Sequence, residues 1–511
     1  MKVAFIYKGA ENLGIEYLSA FLRSKGHKTH LFFDPAVFSS DVFINSRWLS
    51  RFTSIDDKLL KAVGRAQPDV VAFSAYTGNY QWCLSLARSL KDALGVPIVF
   101  GGIHATAVPE RVLSHDFIDY VIRGEGEFSF FELLECLTHT PSSQDLGSIQ
   151  NLGFKIDGKI FVNPLRPYIQ DLDSLPFPDK GIFFDAEPLF RRNPYLIMSS
   201  RGCPYGCTYC GNNLFHELYQ GKGAHVRRRS VDNVMAELEQ SKKTYQCESV
   251  CFVDDVFTVS QDWLEDILPE YKAKIGLPFS CNIHPLAFNK GIARLLKENG
   301  CSLVFLGTQS GSERIRKEVF MRNESNESIL RAVSYLKEAR LPFNIDHIFG
   351  APTETEEDLK KSFDLYRALK PNMLQTFWLT YYPGTRIISL AKEKGLLNDA
   401  DIENINEGRI GFAHGTGSVE KKRLSLYKKY ELLFEAITIA PNEYVLKIFS
   451  KIIVLVPFKK LFSLTIFTMT GLRYFRPWIL NKFRYAFSSH GRSLGRKDLF
   501  EEKCPTKALK E

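Results

Sequence analysis

Twice along the chain, short apolar runs alternate with stretches of helical periodicity, and this alternation restricts the fold more than any other feature. The first series runs VAFIY (3–7), THLFFD (29–34), DVVAFSA (69–75), VPIVFGG (96–102) and YVIRG (120–124). Helical stretches over 15–24, near 56–64, over 80–93 and over 127–138 separate or follow them, with Leu18, Phe21 and Leu22 marking one apolar face. Such a rhythm builds a parallel sheet covered by helices on both faces. The second series runs YLIMSS (195–200), SVCFVDD (249–255), FSCNIHP (279–285), SLVFLGT (302–308), FNIDHIFG (343–350) and MLQTFWLT (373–380), again with helical stretches between. Chemistry-bearing residues stand at nearly every strand end of this second series, which predicts an incomplete barrel. Between the two series, 146–194 reads as a linker with a hairpin at GFKIDGKIF (153–161), because the prolines of DLDSLPFPD (171–179) argue against regular structure.

The segment SRGCPYGCTYCGNN (200–213) crowds Cys203, Cys207 and Cys210 into one loop directly after a strand. Three thiolates in so tight a loop call for a metal. Structural zinc normally takes four protein ligands, and His216 is the nearest candidate for a fourth. An iron–sulfur cluster on three cysteines instead leaves one iron open, as a catalyst requires. The chain has ten cysteines in 511 residues, which is no disulfide scaffold and fits a reducing compartment. MKVAFIYKG enters a strand at once and lacks a secretory signal, so a cytoplasmic location is expected.

In a parallel sheet, ligands sit beyond the carboxyl ends of the strands. The loops there, 8–14, 74–79, 101–107 and 124–127, are rich in Gly, Ser and Thr, which lets a large flat ligand or a phosphate approach the backbone. Ordinary tight turns would look the same. The loop at 8–14 has no G-x-G-x-x-G, which disfavours a dinucleotide. In the second series, Asp254 and Asp255 end a strand, where adjacent carboxylates can bind ribose hydroxyls, a metal or an arginine, or cap the next helix.

The cysteine segment resembles the motif of the radical S-adenosylmethionine (SAM) superfamily. The resemblance implies that Cys203, Cys207 and Cys210 ligate a [4Fe–4S] cluster, and that S-adenosylmethionine chelates the remaining iron. Reductive cleavage then yields a 5′-deoxyadenosyl radical that takes hydrogen from substrate. Tyr209 would pack near the adenine. CFVDDVFT (251–258) resembles the second-strand signature, carrying Asp254 and Asp255. LGTQSGSERI (306–315) resembles the fourth-strand motif, with Gln309 replacing the usual glutamate and Ser310 beside it. HIFGAPTETEED (347–358), in which Thr353 or Thr355 would cap a helix, YYPGT (381–385) and AKEKG (391–395) match later motifs.

The first 145 residues resemble the cobalamin-binding domain fused to many such enzymes, through LGIEYLSAFLRSKGH (13–27), GGIHATAVPE (101–110) and RGEGE (123–127). The branch is that of anaerobic magnesium-protoporphyrin ester cyclase and hopanoid methylases. The resemblance implies that Ser74, Thr77, Gly101, Gly102, His104, Gly124, Glu125, Gly126 and Glu127 line a cobalamin site. KGAENLG lacks the cobalt-ligating histidine of a D-x-H-x-x-G loop, and His104 is expected to order its own loop.

The expected class is α/β: an N-terminal open parallel-sheet, Rossmann-like domain of cobalamin-binding type over 1–145, the linker 146–194, a partial (β/α)6 radical SAM barrel over 195–395 and a helical C-terminal region over 396–511. The expected chemistry is C-methylation of a small hydrophobic or lipid-like substrate, supplied with electrons by a reductant such as flavodoxin or ferredoxin. The alternative is a cyclase, oxidase or C–C bond-forming enzyme without net methyl transfer. An RNA-modifying enzyme and a non-catalytic iron–sulfur protein are weaker rivals. The net charge of +8 falls largely late, in FKK, RYFR, NKFR and GRSLGRK, among apolar residues. That mixture reads as a face lying on the cytoplasmic membrane surface rather than a nucleic-acid groove. Within 444–480 the longest uncharged stretch, Leu461 to Leu472, is too short to span a bilayer; a helical cap on the barrel is the plainer reading of this segment.

Overall fold

The computed structural model describes residues 1–36, 56–410 and 421–439. They form two compact units, one of 1–166 with 175–190, the other of 167–174 with the residues from 191 onward.

In the first unit, β1 (Lys2–Lys8), β2 (Lys28–Asp34), β3 (Val70–Ser74), β4 (Ile98–Gly101) and β5 (Tyr120–Ile122) are parallel, in the order β2-β1-β3-β4-β5. Successive side chains of a strand point to opposite faces, so a strand apolar throughout buries both. Ala4, Ile6, Phe73 and Phe100 enter one core, and Val3, Phe5, Ala72 and Val99 the other. The strand order reverses at β1 and β3, which opens a crevice at their carboxyl ends.

The stretch expected to be a linker is largely built into this unit. β6 (Leu152–Ile156) and β7 (Lys159–Val162) form the hairpin and extend the sheet antiparallel to β5. The helix Gly181–Ala186 places Ile182 and Phe183 in the core, with the Phe183 ring 5.5 Å from Phe33 and 6.2 Å from Tyr7. Lys180 is fully buried, its Nζ 2.8 Å from both Glu11 and Glu16. Burial opposes the ammonium charge, but the two carboxylates hold the Lys180 pKa above its ordinary value. The prolines interrupt any periodic pattern, yet the chain still packs through single apolar and charged anchors.

In the second unit, β8 (Tyr195–Ile197) opens the main sheet. β9 (Ser200–Arg201) and β10 (Arg227–Arg228) form a separate antiparallel pair. β11 (Val250–Phe252), β12 (Phe279–Ile283), β13 (Cys301–Gln309), β14 (Phe343–Phe349) and β15 (Met373–Trp378) then follow β8 in spatial order, every pairing parallel. The six strands do not close: β8 and β15 are the two edges. Helices return between strands, and their starts are set locally. Ser230, Ser260, Asn289 and Ser325 each accept a backbone N–H of the first turn, and Thr355 with Asp358 forms a capping box. Thr355 is thus the cap; Thr353 sits at φ +63° and is gripped by Arg314.

Part of the C-terminal region belongs to the same core. The helix Lys421–Ile439 lays Phe434 against Phe349, ring centroids 5.4 Å apart, and Tyr427 against Trp378 at 5.3 Å. Residues 411–420 and the apolar, basic stretch 444–480 lie outside the described residues. Among the described residues, no helix is long and apolar enough to cross a membrane.

Candidate active site

YLIMSS does not run as one strand into the cysteines. Asp254, fully buried, accepts from the Ser199 backbone N–H at 3.2 Å, from the Ser199 hydroxyl at 2.8 Å and from the Ser200 hydroxyl. This clamp ends β8 and turns the chain out into β9. Asp254 was expected as a ligand or a cap; its carboxylate is instead consumed in shaping the turn before Cys203. The next helix is capped by Ser260.

The loop that follows is pinned by Thr208. Its N–H donates to the Phe320 carbonyl at 3.1 Å, its hydroxyl to the Val319 carbonyl at 2.6 Å, and its own carbonyl accepts from Ile387 at 3.0 Å. Cys207 is buried, Cys203 and Cys210 half-buried. Burial pushes the Cys203 thiol up to about 12 and raises Cys210 as well, so metal binding here must displace protons. His216 does not join them as a ligand: its Nε2 is 2.8 Å from the Cys203 carbonyl oxygen. Among the described residues, one set of three ligand atoms lies within 4.8 Å of one another, at Cys136, His139 and Asp145, where Asp145 already serves a helix capping box.

Around this loop the structure gathers polar groups that spacing did not reveal. Asn212 donates to the Cys210 sulfur at 3.8 Å and hydrogen-bonds Asp255. Asp255 is open to solvent, yet its recess is dense enough to raise its carboxyl above the ordinary range, with Asn212 opposing. Of the two expected aspartates, Asp255 is the one available at the site. Tyr205 stacks on His284 at 3.7 Å, and burial lowers the His284 pKa to about 2, so the imidazole is neutral. Tyr209, expected near an adenine, packs its ring on Phe320 at 4.8 Å, and its hydroxyl accepts from Arg322 at 3.3 Å.

Gln309 and Ser310 part company. A register shift in β13 puts Gln309 at φ +65°, an uncommon conformation for a residue with a side chain, and leaves it half-buried at the strand's end. Ser310 is fully buried and unavailable to a cofactor. Its hydroxyl is 3.4 Å from that of Ser362 and accepts from the Ser312 N–H at 3.2 Å. Gly311 explains the tight packing there, since a Cβ would lie 2.3 Å from Ser362 Cα. On β14, His347 turns outward to the Tyr366 hydroxyl at 2.8 Å, so its neighbour Asp346 faces the inside of the curved sheet. Burial pushes the Asp346 carboxyl up to about 7, with Arg322 pulling it down.

In the first unit, the expected residues assemble at the carboxyl edge of β3, β4 and β5. Ser74, Gly101, Gly124 and Glu125 are half-buried, and Gly102 is exposed. Gly102 sits at φ +91°, where a Cβ would lie 2.5 Å from the Ala75 carbonyl oxygen. Beneath them, His104 is buried with its Nδ1 3.1 Å from the Thr77 hydroxyl and its ring 4.0 Å from Tyr80. Thr77 and His104 therefore order the loop from inside and are not presented to a ligand. Gly126 and Glu127 are buried at the start of the helix Glu127–Cys136. Asn79 ties the edge together, donating to the carbonyls of Lys8 at 3.4 Å and Ser74 at 3.3 Å. Small residues above and a hydrogen-bonded floor below leave an open backbone edge that suits a large flat ligand such as cobalamin.

Residues 197–366 match the Radical SAM superfamily and residues 4–134 the B12 binding domain. An uncharacterized methyltransferase of Pyrococcus horikoshii is 30% identical over 347 residues, 66% of this chain and 72% of that protein. This chain belongs to the cobalamin-binding radical SAM methyltransferase family. The anaerobic magnesium-protoporphyrin IX monomethyl ester cyclase of Rubrivivax gelatinosus is 24% identical over 405 residues, 75% of this chain and 68% of that one. Among solved structures, the cobalamin-dependent S-adenosylmethionine radical enzyme OxsB superimposes with a TM-score of 0.64 at 16% identity, covering 96% of this chain and 76% of that chain.

The radical SAM enzyme should lose cobalamin when Gly102 becomes alanine. The substitution forces a side chain into a left-handed backbone and against the Ala75 carbonyl, at a cost of about 1–3 kcal/mol. If that cost falls on the bound state, cobalamin affinity drops roughly 5- to 150-fold, since ~1.4 kcal/mol is tenfold, and cobalamin per chain after desalting is expected to fall. Undiminished retention would place the cobalamin elsewhere.

Proposed function

We propose that this enzyme methylates a carbon of a small hydrophobic or lipid-like substrate, with Cys203, Cys207 and Cys210 as the cluster ligands. The observation that carries the reading is the cysteine loop at the carboxyl ends of a parallel sheet whose inner face offers polar and aromatic groups together. Ser280, Asn282, Asp346 and Gln375 alternate there with buried core residues, and Phe305 and Phe377 share the same side. Phe377 is 48% exposed, an apolar surface suited to a hydrophobic substrate. When bound, the cluster supplies the electron that cleaves S-adenosylmethionine, and cobalamin carries the methyl group. The protein's part is to hold and orient. Thr208 and the Asp254 clamp fix the cysteine loop. Asp255 and Gln309 stand at strand ends as hydrogen-bonding groups for S-adenosylmethionine, and neutral His284 with Tyr205 walls the recess. A one-electron reductant such as flavodoxin or ferredoxin is required.

The test begins with protein purified anaerobically with iron, sulfide and hydroxocobalamin. About one cobalamin and four irons per chain are expected after desalting. Incubation with S-adenosylmethionine bearing a trideuterated methyl group and a lipid extract should then place deuterated methyl in a product. A cluster retained without cobalamin overturns methyl transfer. Cleavage of S-adenosylmethionine with retained cobalamin but unlabelled product favours the cyclase-like reading, to which the Rubrivivax gelatinosus relative lends support.

A further inference from the structure

We propose that Arg322 is a positioning residue that sets the reduction potential of the cluster, through the Cys207 sulfur, and that Glu324 limits its effect. The inference rests on the assignment of Cys203, Cys207 and Cys210 as cluster ligands.

Arg322 lies in the turn before the helix Asn326–Glu338, more than a hundred residues from the cysteines in sequence, yet its guanidinium is buried against them. Nη1 donates to the Cys207 sulfur at 3.7 Å and to the Tyr209 hydroxyl at 3.3 Å. Nη2 donates to the Gly307 carbonyl at 2.6 Å, and Nε to the Glu324 carboxylate. Glu324 is buried too, with its second oxygen 3.6 Å from His284 Nε2. Two buried cations face Glu324: Arg322 pairs with its carboxylate, and Arg316 donates from Nε to its backbone carbonyl at 3.2 Å.

A purely structural ion pair would need only the contact between Nε and Glu324. The guanidinium does more. It spends a separate nitrogen on a sulfur and a phenol of the cysteine loop, and the planar fork fixes the angle between these contacts. Reduction of a [4Fe–4S] cluster adds one electron and one negative charge. A buried cation that hydrogen-bonds a ligand sulfur stabilises the reduced form more than the oxidised form, and so raises the potential. Solvent screens it little there. Glu324, a buried anion in direct contact with the guanidinium, pulls the other way. The pair therefore makes two predictions of opposite sign, which a merely structural role does not.

The experiment is an anaerobic redox titration of the reconstituted holoenzyme, following the electron paramagnetic resonance signal of the reduced cluster. Arg322→Gln should shift the reduction equilibrium at least about tenfold toward the oxidised form, ~59 mV downward for one electron. Glu324→Gln, which keeps the shape and removes the opposing charge, should shift it upward. Arg322→Lys keeps the ion pair but cannot span sulfur, phenol and carbonyl together, and should fall between parent and Arg322→Gln. Iron and sulfide content identifies variants that fail to assemble; if Arg322→Gln is among them, the other two decide. Unchanged potentials, or shifts of one sign for Arg322→Lys and Glu324→Gln, overturn the proposal. A parent protein that takes up no cluster at all would sink the ligand assignment instead, a separate outcome.

Discussion

Replacing Cys207 with alanine should abolish cleavage of S-adenosylmethionine and lower iron below the four of a [4Fe–4S] cluster. Cys207 is the buried member of the three, so no solvent molecule easily replaces its sulfur. The loop itself does not depend on it: Thr208 holds the backbone to Val319, Phe320 and Ile387 through three hydrogen bonds. The expected loss is therefore that of the proposed ligand and not of the fold. The first unit has its own two cores, formed from other residues, and should remain folded. The check is 5′-deoxyadenosine produced by the anaerobically reconstituted variant, with circular dichroism as the folding control. Cleavage at the parent's level would remove Cys207 from the ligand set.

Gly202→Ala should nearly match that loss although it removes no ligand. Gly202 immediately precedes Cys203 and sits at φ +88°, where a Cβ would lie 2.1 Å from the His225 carbonyl oxygen and 2.9 Å from its carbon. The obstacle is backbone, and it is held in place. His225 Nδ1 is 3.0 Å from the Tyr168 hydroxyl, its ring is 3.7 Å from that of His216, and Arg227 pairs with Arg201 across β9 and β10. The alanine must therefore displace Cys203, at a cost of about 1–3 kcal/mol from backbone strain before the overlap is relieved. Cluster affinity should fall roughly 5- to 150-fold from the strain alone, since ~1.4 kcal/mol is tenfold, and iron per chain after desalting should drop below that of the parent. Gly206→Ala is the control in the same loop: a Cβ there meets nothing within 4 Å, and the variant should keep its cluster. Full iron in Gly202→Ala would show that the loop tolerates what its geometry forbids.

The architecture was legible because its signals are local. VAFIY, DVVAFSA and VPIVFGG are apolar on both sides, which is the mark of a strand between two helical layers. Their order, with helical stretches between, leaves few topologies besides a parallel sheet. The helix start at Thr353 or Thr355 could be read, since a cap bonds an N–H within its own first turn, and Thr355 is the cap. The spacing of Cys203, Cys207 and Cys210 is equally local, as is Gly102, whose exposed loop needs a left-handed residue.

What stayed hidden depends on partners far along the chain. Asp254 looks like a ligand until Ser199 and Ser200, more than fifty residues earlier, take its oxygens. Ser310 looks like part of a binding motif until its hydroxyl is found buried beside that of Ser362. The prolines around Lys180 hide a buried cation that neutralises Glu11 and Glu16 across the core of the first unit. Arg322 carries no motif, and its meaning appears once β13 and the cysteine loop are brought together. Periodicity, caps and ligand spacing are set by neighbours within a few turns, so the residues alone declare them. Which buried charge meets which sulfur or carboxylate is set by the packing of strands and helices from distant parts of the chain, because a buried polar group must find its partner wherever the fold delivers one.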